Sequence, residues 1–270
     1  KQHSTPSVKT RSIMKSLIRW GATLGLVCST FWVGMLGNAK SALALEDAQI
    51  VEKLQTVPVF TITDREGAPL ILSIPDGDNS VLVTGVFIRF EDAKAFLEKV
   101  KTDQPELADQ IQVTLLSLAD TYQLGQEQQG QSEPLQFLYV PDRAQVTTAQ
   151  ELLQASGQQV EQFPGVPLFL ARAGDVLLTT QQGEESFVPV FFDENELQQE
   201  LDRLKAETPE LANTVTVEVW PLERLIEVMQ TTDDPMMENL LLVPPQATLD
   251  LIETLRPVEG QGTPAAPSGQ

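Results

Sequence analysis

The sequence has almost no cysteine or histidine, and this scarcity excludes several kinds of chemistry. Its single cysteine is Cys28 and its single histidine is His3. If the first 44 residues are removed, as argued below, no thiol and no imidazole remain. Disulfides, cysteine or histidine nucleophiles and the usual zinc sites are then excluded. The chain also lacks a glycine-rich phosphate loop and a GxSxG motif. We therefore expect no cofactor, no metal and no redox chemistry.

Basic residues are also few. The 270-residue chain has 38 acidic and 18 basic residues, and a formal charge of −20. Six of the basic residues and none of the acidic ones fall within the first 44 positions, so residues 45–270 carry 12 basic against 38 acidic groups, a difference of −26. Such a chain repels nucleic-acid phosphates and anionic membrane surfaces, and it attracts basic partner surfaces. Nucleic acid is therefore not an expected partner.

The long apolar run lies near the start of the chain. Met14 opens a segment with a basic beginning, an apolar stretch over residues 20–36, and the small-residue end Ala42-Leu43-Ala44. This three-part pattern predicts a secretory signal peptide cleaved after Ala44, with residues 1–13 as an upstream extension. The alternative is a permanent membrane helix, but glycine and polar residues shorten the apolar run. We expect an exported protein, in the periplasm or associated with the thylakoid, without stable membrane insertion.

A four-residue sequence, Pro-Glu-Leu-Ala, occurs at residues 105–108 and again at 209–212. When the chain is shifted by 104 residues against itself, eight of 22 positions from Leu97 to Leu118 match those from Leu201 to Leu222. "VPVF" at 57–60 and "FLYVP" at 137–141 have looser counterparts in "VPLF" at 166–169 and "LLLVP" at 240–244. The pattern predicts an internal duplication, in which Pro-Glu-Leu-Ala is a structural connector rather than a functional site.

Each half has the same predicted order of elements. Alternating apolar residues predict strands at Val57–Thr63, Leu70–Ile74 and Val81–Ile88, and a 3.6-residue period predicts a helix at Glu91–Lys101. The Pro-Glu-Leu-Ala turn follows, then a strand, a short helix, an apolar strand and a further helix. In the second half, Asp193 and Glu196 predict a capping box. The fold class is therefore α/β (α+β), as two pseudo-symmetric lobes that each pack a small mixed sheet with helices.

The predicted boundaries follow from composition. Residues 1–44 form the signal segment, residues 45–156 the first lobe, residues 157–256 the second lobe, and the Pro/Gly-rich residues 257–270 a disordered tail. The glutamine-rich stretch Gln123–Glu133 is expected to be a surface loop.

Carboxylates are the remaining candidates for chemistry. A hydrolase that uses two acids is an alternative, because such enzymes need only a pair at the right spacing. "PDGDNS" at 75–80 resembles half of a calcium loop but lacks the other ligands, so a turn between strands is favoured. Most of the acids are expected to form a solvated surface, and we expect the protein not to be an enzyme.

Apolar residues in related positions of the two halves suggest a binding surface instead. Leu116 and Trp220 each lie on the polar face of the strand that follows the connector, and four phenylalanines lie at strand-to-helix corners. Their alternative role is in the core, which is where aromatic side chains usually lie. As two related clusters they are predicted to line apolar grooves that bind client polypeptides. The candidate residues are Phe87, Phe90, Leu116, Phe191, Phe192 and Trp220.

"VPVFTITDREGAPL", "GVPLFLA", "FVPVFF", the helix–connector–strand segment and "FLYVP" resemble the small Tic family of the chloroplast protein-import apparatus, over residues 46–256. The bacterial type of signal peptide suggests the cyanobacterial branch. The resemblance implies a two-lobed α/β protein of the periplasm or intermembrane space that holds unfolded or precursor polypeptides and works with Omp85-type assembly machinery. It implies no catalytic residues.

The sequence therefore predicts an exported, chaperone-like protein-transport factor that holds client segments in apolar grooves. Two alternatives stay open. One is a non-catalytic adaptor of the envelope, and the other is the carboxylate-based hydrolase.

Overall fold

The structure is a computed structural model that describes residues 45–255 apart from 77–78, 129, 132, 159, 212–213 and 233. The predicted signal segment, the predicted tail and the centre of "PDGDNS" lie outside the described residues. The described part of the chain contains seven α-helices and eleven strands. None of these helices has the length and apolar character needed to cross a bilayer.

The first half begins with a helix and continues with alternating strands and helices. Its elements are α1 (Asp47–Leu54), β1 (Pro58–Asp64), β2 (Leu72–Asp76), β3 (Asn79–Phe87), α2 (Phe90–Asp103), β4 (Ile111–Ser117), α3 (Leu118–Gln128), β5 (Leu135–Val140) and α4 (Arg143–Ala155). The predicted strands and the predicted helix of this half agree with β1, β2, β3 and α2 to within a few residues at each end.

The second half has no counterpart of α1 in the described residues and has two short strands in place of β2, but it otherwise repeats this order. Its elements are β6 (Pro167–Ala173), β7 (Val176–Leu177), β8 (Thr180–Gln182), β9 (Glu185–Phe191), α5 (Glu194–Glu207), β10 (Val215–Pro221), α6 (Leu222–Thr231), β11 (Leu240–Val243) and α7 (Gln246–Leu255). Residues 156–166, which connect α4 to β6, contain no described helix or strand.

The two sheets have the same arrangement of strands. In the first, β4 pairs antiparallel with β1, β1 antiparallel with β3, and β3 parallel with β5. In the second, β10, β6, β9 and β11 pair in the same order and the same directions. The hydrogen bond from Leu118 N to Val57 O, 2.8 Å, has its counterpart in Leu222 N to Val166 O, also 2.8 Å. The mixed α/β prediction is confirmed, and this shared topology is what a duplication would produce, although the duplication itself stays a prediction.

The sheets share one central core. The largest apolar cluster takes residues from both sheets, among them Val59, Val86, Leu168 and Val190, all at most 1% exposed. Two further clusters lie on the outer faces of the sheets. α2 covers the first sheet together with Leu251 of α7, while α5 and α4 cover the second. α4 comes from the first half of the chain and α7 from the second. The halves are therefore joined through a common core and through exchanged helices.

Both Pro-Glu-Leu-Ala segments form a single turn of 3₁₀ helix, at Pro105–Leu107 and Pro209–Leu211. Each turn connects a helix to a strand, as predicted, because proline suits the first position of a helical turn. The Leu107 side chain packs against the outer cluster of the first sheet.

Two local predictions were wrong. Residues 123–128 of the glutamine-rich stretch continue helix α3 rather than forming a loop. Glutamine is a good helix former, and Gln126 donates to the hydroxyl of Tyr122 one turn earlier, at 2.8 Å. The capping box at Asp193 is incomplete. Asp193 accepts a hydrogen bond from the Asn195 amide, but the Glu196 carboxylate instead accepts from the amide of Gln246, at the start of α7.

Candidate functional site

Strand β5 is an edge of the first sheet, and its outer edge is open in the described part of the chain. It pairs with β3 alone. Ile88 N donates to Val140 O at 3.2 Å, so the Val140 carbonyl faces β3. Because successive residues of a strand point their backbone groups to opposite sides, the N–H and C=O groups of Phe137 and Tyr139 face outward. These groups are available to a binding partner.

A groove runs along this open edge. It consists of two adjoining cavities of about 990 and 540 Å³ that share the side chains of Tyr139 and Glu223. All five residues from Leu135 to Tyr139 line one cavity or the other. Neighbouring strand residues point to opposite faces of a sheet, so a cavity system that touches all five must follow the edge. We call this feature the β5 groove.

The β5 groove is mostly apolar. Leu138 is 54% exposed within it, and Val146 of α4 and Phe163 of the connecting segment contribute further apolar surface. The strand itself, "LQFLYV", has no charge and no proline. Exposed edge strands in soluble proteins are normally protected by lysine, proline or a covering element, because an open edge recruits other chains. β5 carries no such residue, which is expected of an edge that a partner covers.

Glu223, near the start of α6, provides a negative charge in both cavities. Arg143, Arg224 and Glu227 also line the larger cavity, where Arg224 pairs with Glu227 at 3.1 Å. Its side chain is partly exposed, and its carboxylate end packs against Gly165, whose φ is +82°. Val166 N donates to Glu223 Oε2 at 3.2 Å. Partial loss of hydration raises the pKa of Glu223 above its usual range, and the hydrogen bond from Val166 opposes this shift. None of the ion pairs in the described chain includes Glu223.

Three of the six predicted client-binding residues lie in the cores. Phe87, Phe191 and Phe192 are 5%, 3% and 2% exposed, so the prediction that they line an open groove was wrong. Phe87 ends β3 and packs with residues of α2, and Phe191 ends β9 and packs with residues of α5. Phe192, the next residue, lies in the central core. The preference of aromatic rings for close-packed apolar surroundings decided these positions.

The other three predicted residues are partly buried. Phe90 lies 5.4 Å from Phe60, ring centre to ring centre, on the outer face of the first sheet. Leu116 and Trp220 both pack against the central core, and the indole N–H of Trp220 donates to Glu218 at 2.8 Å. The structure does not bring these three residues together with the β5 groove. Their role in client binding stays a prediction.

The β5 groove was not predicted, because its walls come from distant parts of the sequence. They are β5, α3, the start of α4, the connecting segment before β6, and α6. One signal was present in the sequence. β5 is an uncharged apolar strand, and residues 156–163 show no helical sequence pattern that would predict a helix to cover it.

The acidic residues form no obvious catalytic site in the described chain. The fully buried polar side chains are threonines and one glutamine, without an aspartate or glutamate among them. No group of three or more metal-binding side chains was found among the described residues. The first half of "PDGDNS" ends strand β2, with Pro75 opposite Ser80 in an antiparallel hairpin, which agrees with the predicted turn.

Comparison with known proteins gives one consistent family. A family model described as "Tic22-like family" matches residues 8–253. Protein TIC 22 of Pisum sativum chloroplasts is 24% identical over 205 residues, which cover 76% of this chain and 75% of the pea protein. Protein TIC 22-like of Arabidopsis thaliana chloroplasts is 24% identical over 213 residues, which cover 77% of this chain and 63% of the Arabidopsis protein.

Solved structures agree with this match. Anabaena Tic22, described as a protein of protein transport, superposes with a TM-score of 0.70 at 28% identity over 79% of this chain and 99% of that one. Tic22 from Plasmodium falciparum superposes with a TM-score of 0.59 at 20% identity over 76% of this chain and 96% of that one, and this second likeness bears on the fold alone.

Proposed function

We propose that this chain, which belongs to the Tic22-like family, acts in protein transport by holding unfolded segments of client polypeptides in the β5 groove. The observation that carries the proposal is the open, uncharged edge of β5 beside an apolar groove of about 990 Å³. An edge of this kind offers backbone groups and apolar surface to any polypeptide segment, which suits a protein that must hold many sequences.

The strongly acidic charge supports the same role. Acidic residues exceed basic ones by 20 over the whole chain. This excess keeps copies of the protein apart in solution and speeds the encounter with basic segments. Client holding then needs no nucleotide, because the affinity comes from transient apolar and backbone contacts.

Light scattering with an aggregating reporter protein tests the holding function. We expect the purified chain, added in a few-fold molar excess over a chemically denatured reporter, to suppress aggregation without ATP. The substitution Leu138→Glu should remove much of this effect because it places a charge in the groove. The matched control Val176→Glu changes an equally exposed residue, 61% against 54%, on the separate strand β7. Suppression that is absent in the unaltered chain would refute the proposal and favour the adaptor role.

The place of action and a further partner are also part of the proposal. Resemblance to the family suggests an exported protein that works beside an Omp85-type assembly protein of the envelope. Crosslinking followed by pull-down from envelope fractions should recover client precursors and that assembly protein together. Recovery of the assembly protein without any client would favour an adaptor.

A further inference from the structure

We propose that the β5 groove binds a short amphipathic helix that carries a basic residue, supplied by a partner polypeptide. This inference rests on the proposed function and deepens it, because it gives the form and the charge of the bound segment. It comes from comparing the two sheets. Their edge strands β5 and β11 hold the same position in the same topology, yet α1, the helix that packs against β11, has no counterpart before β6 in the described chain.

The helix that covers β11 is α1, and it shows what such a position requires. α1 packs against α3, α6 and β11. Its residues Ile50 and Leu54, four positions apart on one face, are both 0% exposed. Next to Leu54, the ammonium group of Lys53 donates to Glu238 O at 2.6 Å and to Leu240 O at 3.4 Å. A basic side chain on the helix thus binds a backbone carbonyl of the edge strand.

The β5 groove has the walls that a counterpart of α1 would contact. When each element is replaced by its counterpart in the other half of the chain, α3, α6 and β11 correspond to α6, α3 and β5. These three elements line the groove. The described residues of the chain segment in the corresponding position, 156–163 without 159, form no helix. Gly157, with a φ of +86°, follows the end of α4, and Phe163 is buried in the outer cluster of the second sheet instead.

Glu223 stands where the carboxyl end of that helix would be. In the first half, Val57 N donates to Leu54 O, the last residue of α1, at 3.2 Å. In the second half, the equivalent Val166 N donates to Glu223 Oε2, also at 3.2 Å. The second half therefore keeps a hydrogen-bond acceptor for the amide of Val166, although it lacks a counterpart of α1 in the described residues. The acceptor is now a carboxylate, which brings a negative charge. A lysine or arginine of the bound segment would complement this carboxylate, which forms no ion pair in the described chain.

The bound segment is thereby defined by chemistry. Two apolar residues at positions i and i+4 would lie on Phe137 and Tyr139, which share one face of β5 and line the groove, as Ile50 and Leu54 lie in the central core. An adjacent basic residue would reach Glu223 and the outward carbonyl of Phe137, as Lys53 reaches that of Leu240. An extended segment that adds a strand to β5 is the competing occupant, and the experiment separates the two.

Fluorescence anisotropy with three labelled 12-residue peptides tests the inference on the full chain. The first peptide contains leucine and lysine with helical spacing, the second has the same composition in strict alternation, and the third has the helical spacing with glutamate in place of lysine. We expect the first peptide to bind at least tenfold more tightly than either of the others. We also expect its circular dichroism to show added helix on binding.

Two variants locate the binding. Phe137→Ala should weaken binding of the helical peptide at least tenfold, and Val176→Ala should leave it within twofold. Glu223→Gln should weaken the basic helical peptide several-fold and leave the acidic one unchanged. Equal or tighter binding of the alternating peptide would overturn the helix, and equal losses in the Phe137 and Val176 variants would overturn the site. Aggregation suppression without any peptide preference would overturn this inference alone, whereas peptide binding without suppression would overturn only the proposed holding function.

Discussion

The substitution Lys53→Met tests the cover that α1 provides for strand β11. Methionine keeps most of the apolar stem of lysine and removes the ammonium group. That group donates to two carbonyl oxygens, those of Glu238 and Leu240, at 2.6 and 3.4 Å. Partial burial lowers the pKa of Lys53, so the lost hydrogen bonds are offset in part by relief from desolvation.

The expected cost of this change is moderate. A hydrogen bond with a charged partner contributes about 1.5–3 kcal/mol to stability. Only the shorter contact has good length, and relief from desolvation offsets part of its loss, so we expect Lys53→Met to lower the free energy of unfolding by about 1–2 kcal/mol. Lys99→Met is the matched control. Lys99 pairs with Asp103 four residues on, its side chain is 69% exposed, and such a pair contributes only about 0.3–0.5 kcal/mol.

Urea denaturation of both variants measures this difference, with the slope of the transition confirming that the unfolded reference is unchanged. Amide hydrogen exchange at residues 240–243 should accelerate in Lys53→Met and stay unchanged in Lys99→Met. If the free energies of unfolding of the two variants lie within about 0.5 kcal/mol of each other, and hydrogen exchange at β11 is unaffected, then Lys53 does not stabilise the edge formed by β11. The contact of α1 with β11 would then no longer support the helix proposed for the β5 groove.

Three further predictions concern the groove and the core. Burial raises the pKa of Glu223, so the native chain loses stability as the pH rises from the usual glutamate pKa toward the raised pKa of this residue. Glu223→Gln should therefore have a higher melting temperature than the native chain at pH 7 but not at pH 4. An equal difference at both pH values would contradict this. Gly165→Ala should destabilise the protein more than Gly174→Ala. Both glycines have positive φ, so either substitution should lower the free energy of unfolding by about 1–2 kcal/mol, but only at Gly165 does a β-carbon displace the Glu223 carboxylate. Equal urea midpoints for the two variants would count against the contact. Trp220→Ala should lower the free energy of unfolding by roughly 1.5–3 kcal/mol. This is less than for a fully buried tryptophan, because the ring is only partly buried against the central core. Loss of client holding with unchanged stability would instead assign Trp220 to a binding surface.

Local sequence patterns predicted much of the fold. The alternation in Ile111–Leu115 and the 3.6-residue period in Ala93–Val100 are set by one buried face, so they indicate a strand and a helix without knowledge of the partner. The Pro-Glu-Leu-Ala turns followed from the position of proline. Helix α1 was missed, although Glu46 and Gln49 form a capping box and Ile50 and Leu54 are four residues apart. Eight residues with two apolar positions give a weak periodic signal.

The candidate site could not be predicted in the same way. Phe87 and Phe192 are apolar and near element ends, and nothing in the sequence says whether a helix covers them. The β5 groove depends on where α6 and the connecting segment lie relative to β5. Tyr139 and Glu223 are 84 positions apart, and Leu138 and Phe163 are 25 positions apart. What the sequence did offer was asymmetry. Residues 47–54 have the pattern of an amphipathic helix, and the sequence of the corresponding residues 156–163, with Gly157 near its start, does not.

Site-specific photocrosslinking tests the central claim most directly. A benzoylphenylalanine residue in place of Leu138, which is 54% exposed within the groove, should yield covalent adducts with a denatured client after irradiation. The same residue in place of Val176, which is 61% exposed outside the groove, should yield few. The account predicts adducts from position 138 that the basic helical peptide competes away. Absence of adducts at position 138, or equal yields at the two positions, would contradict the assignment of the β5 groove as the client-binding site.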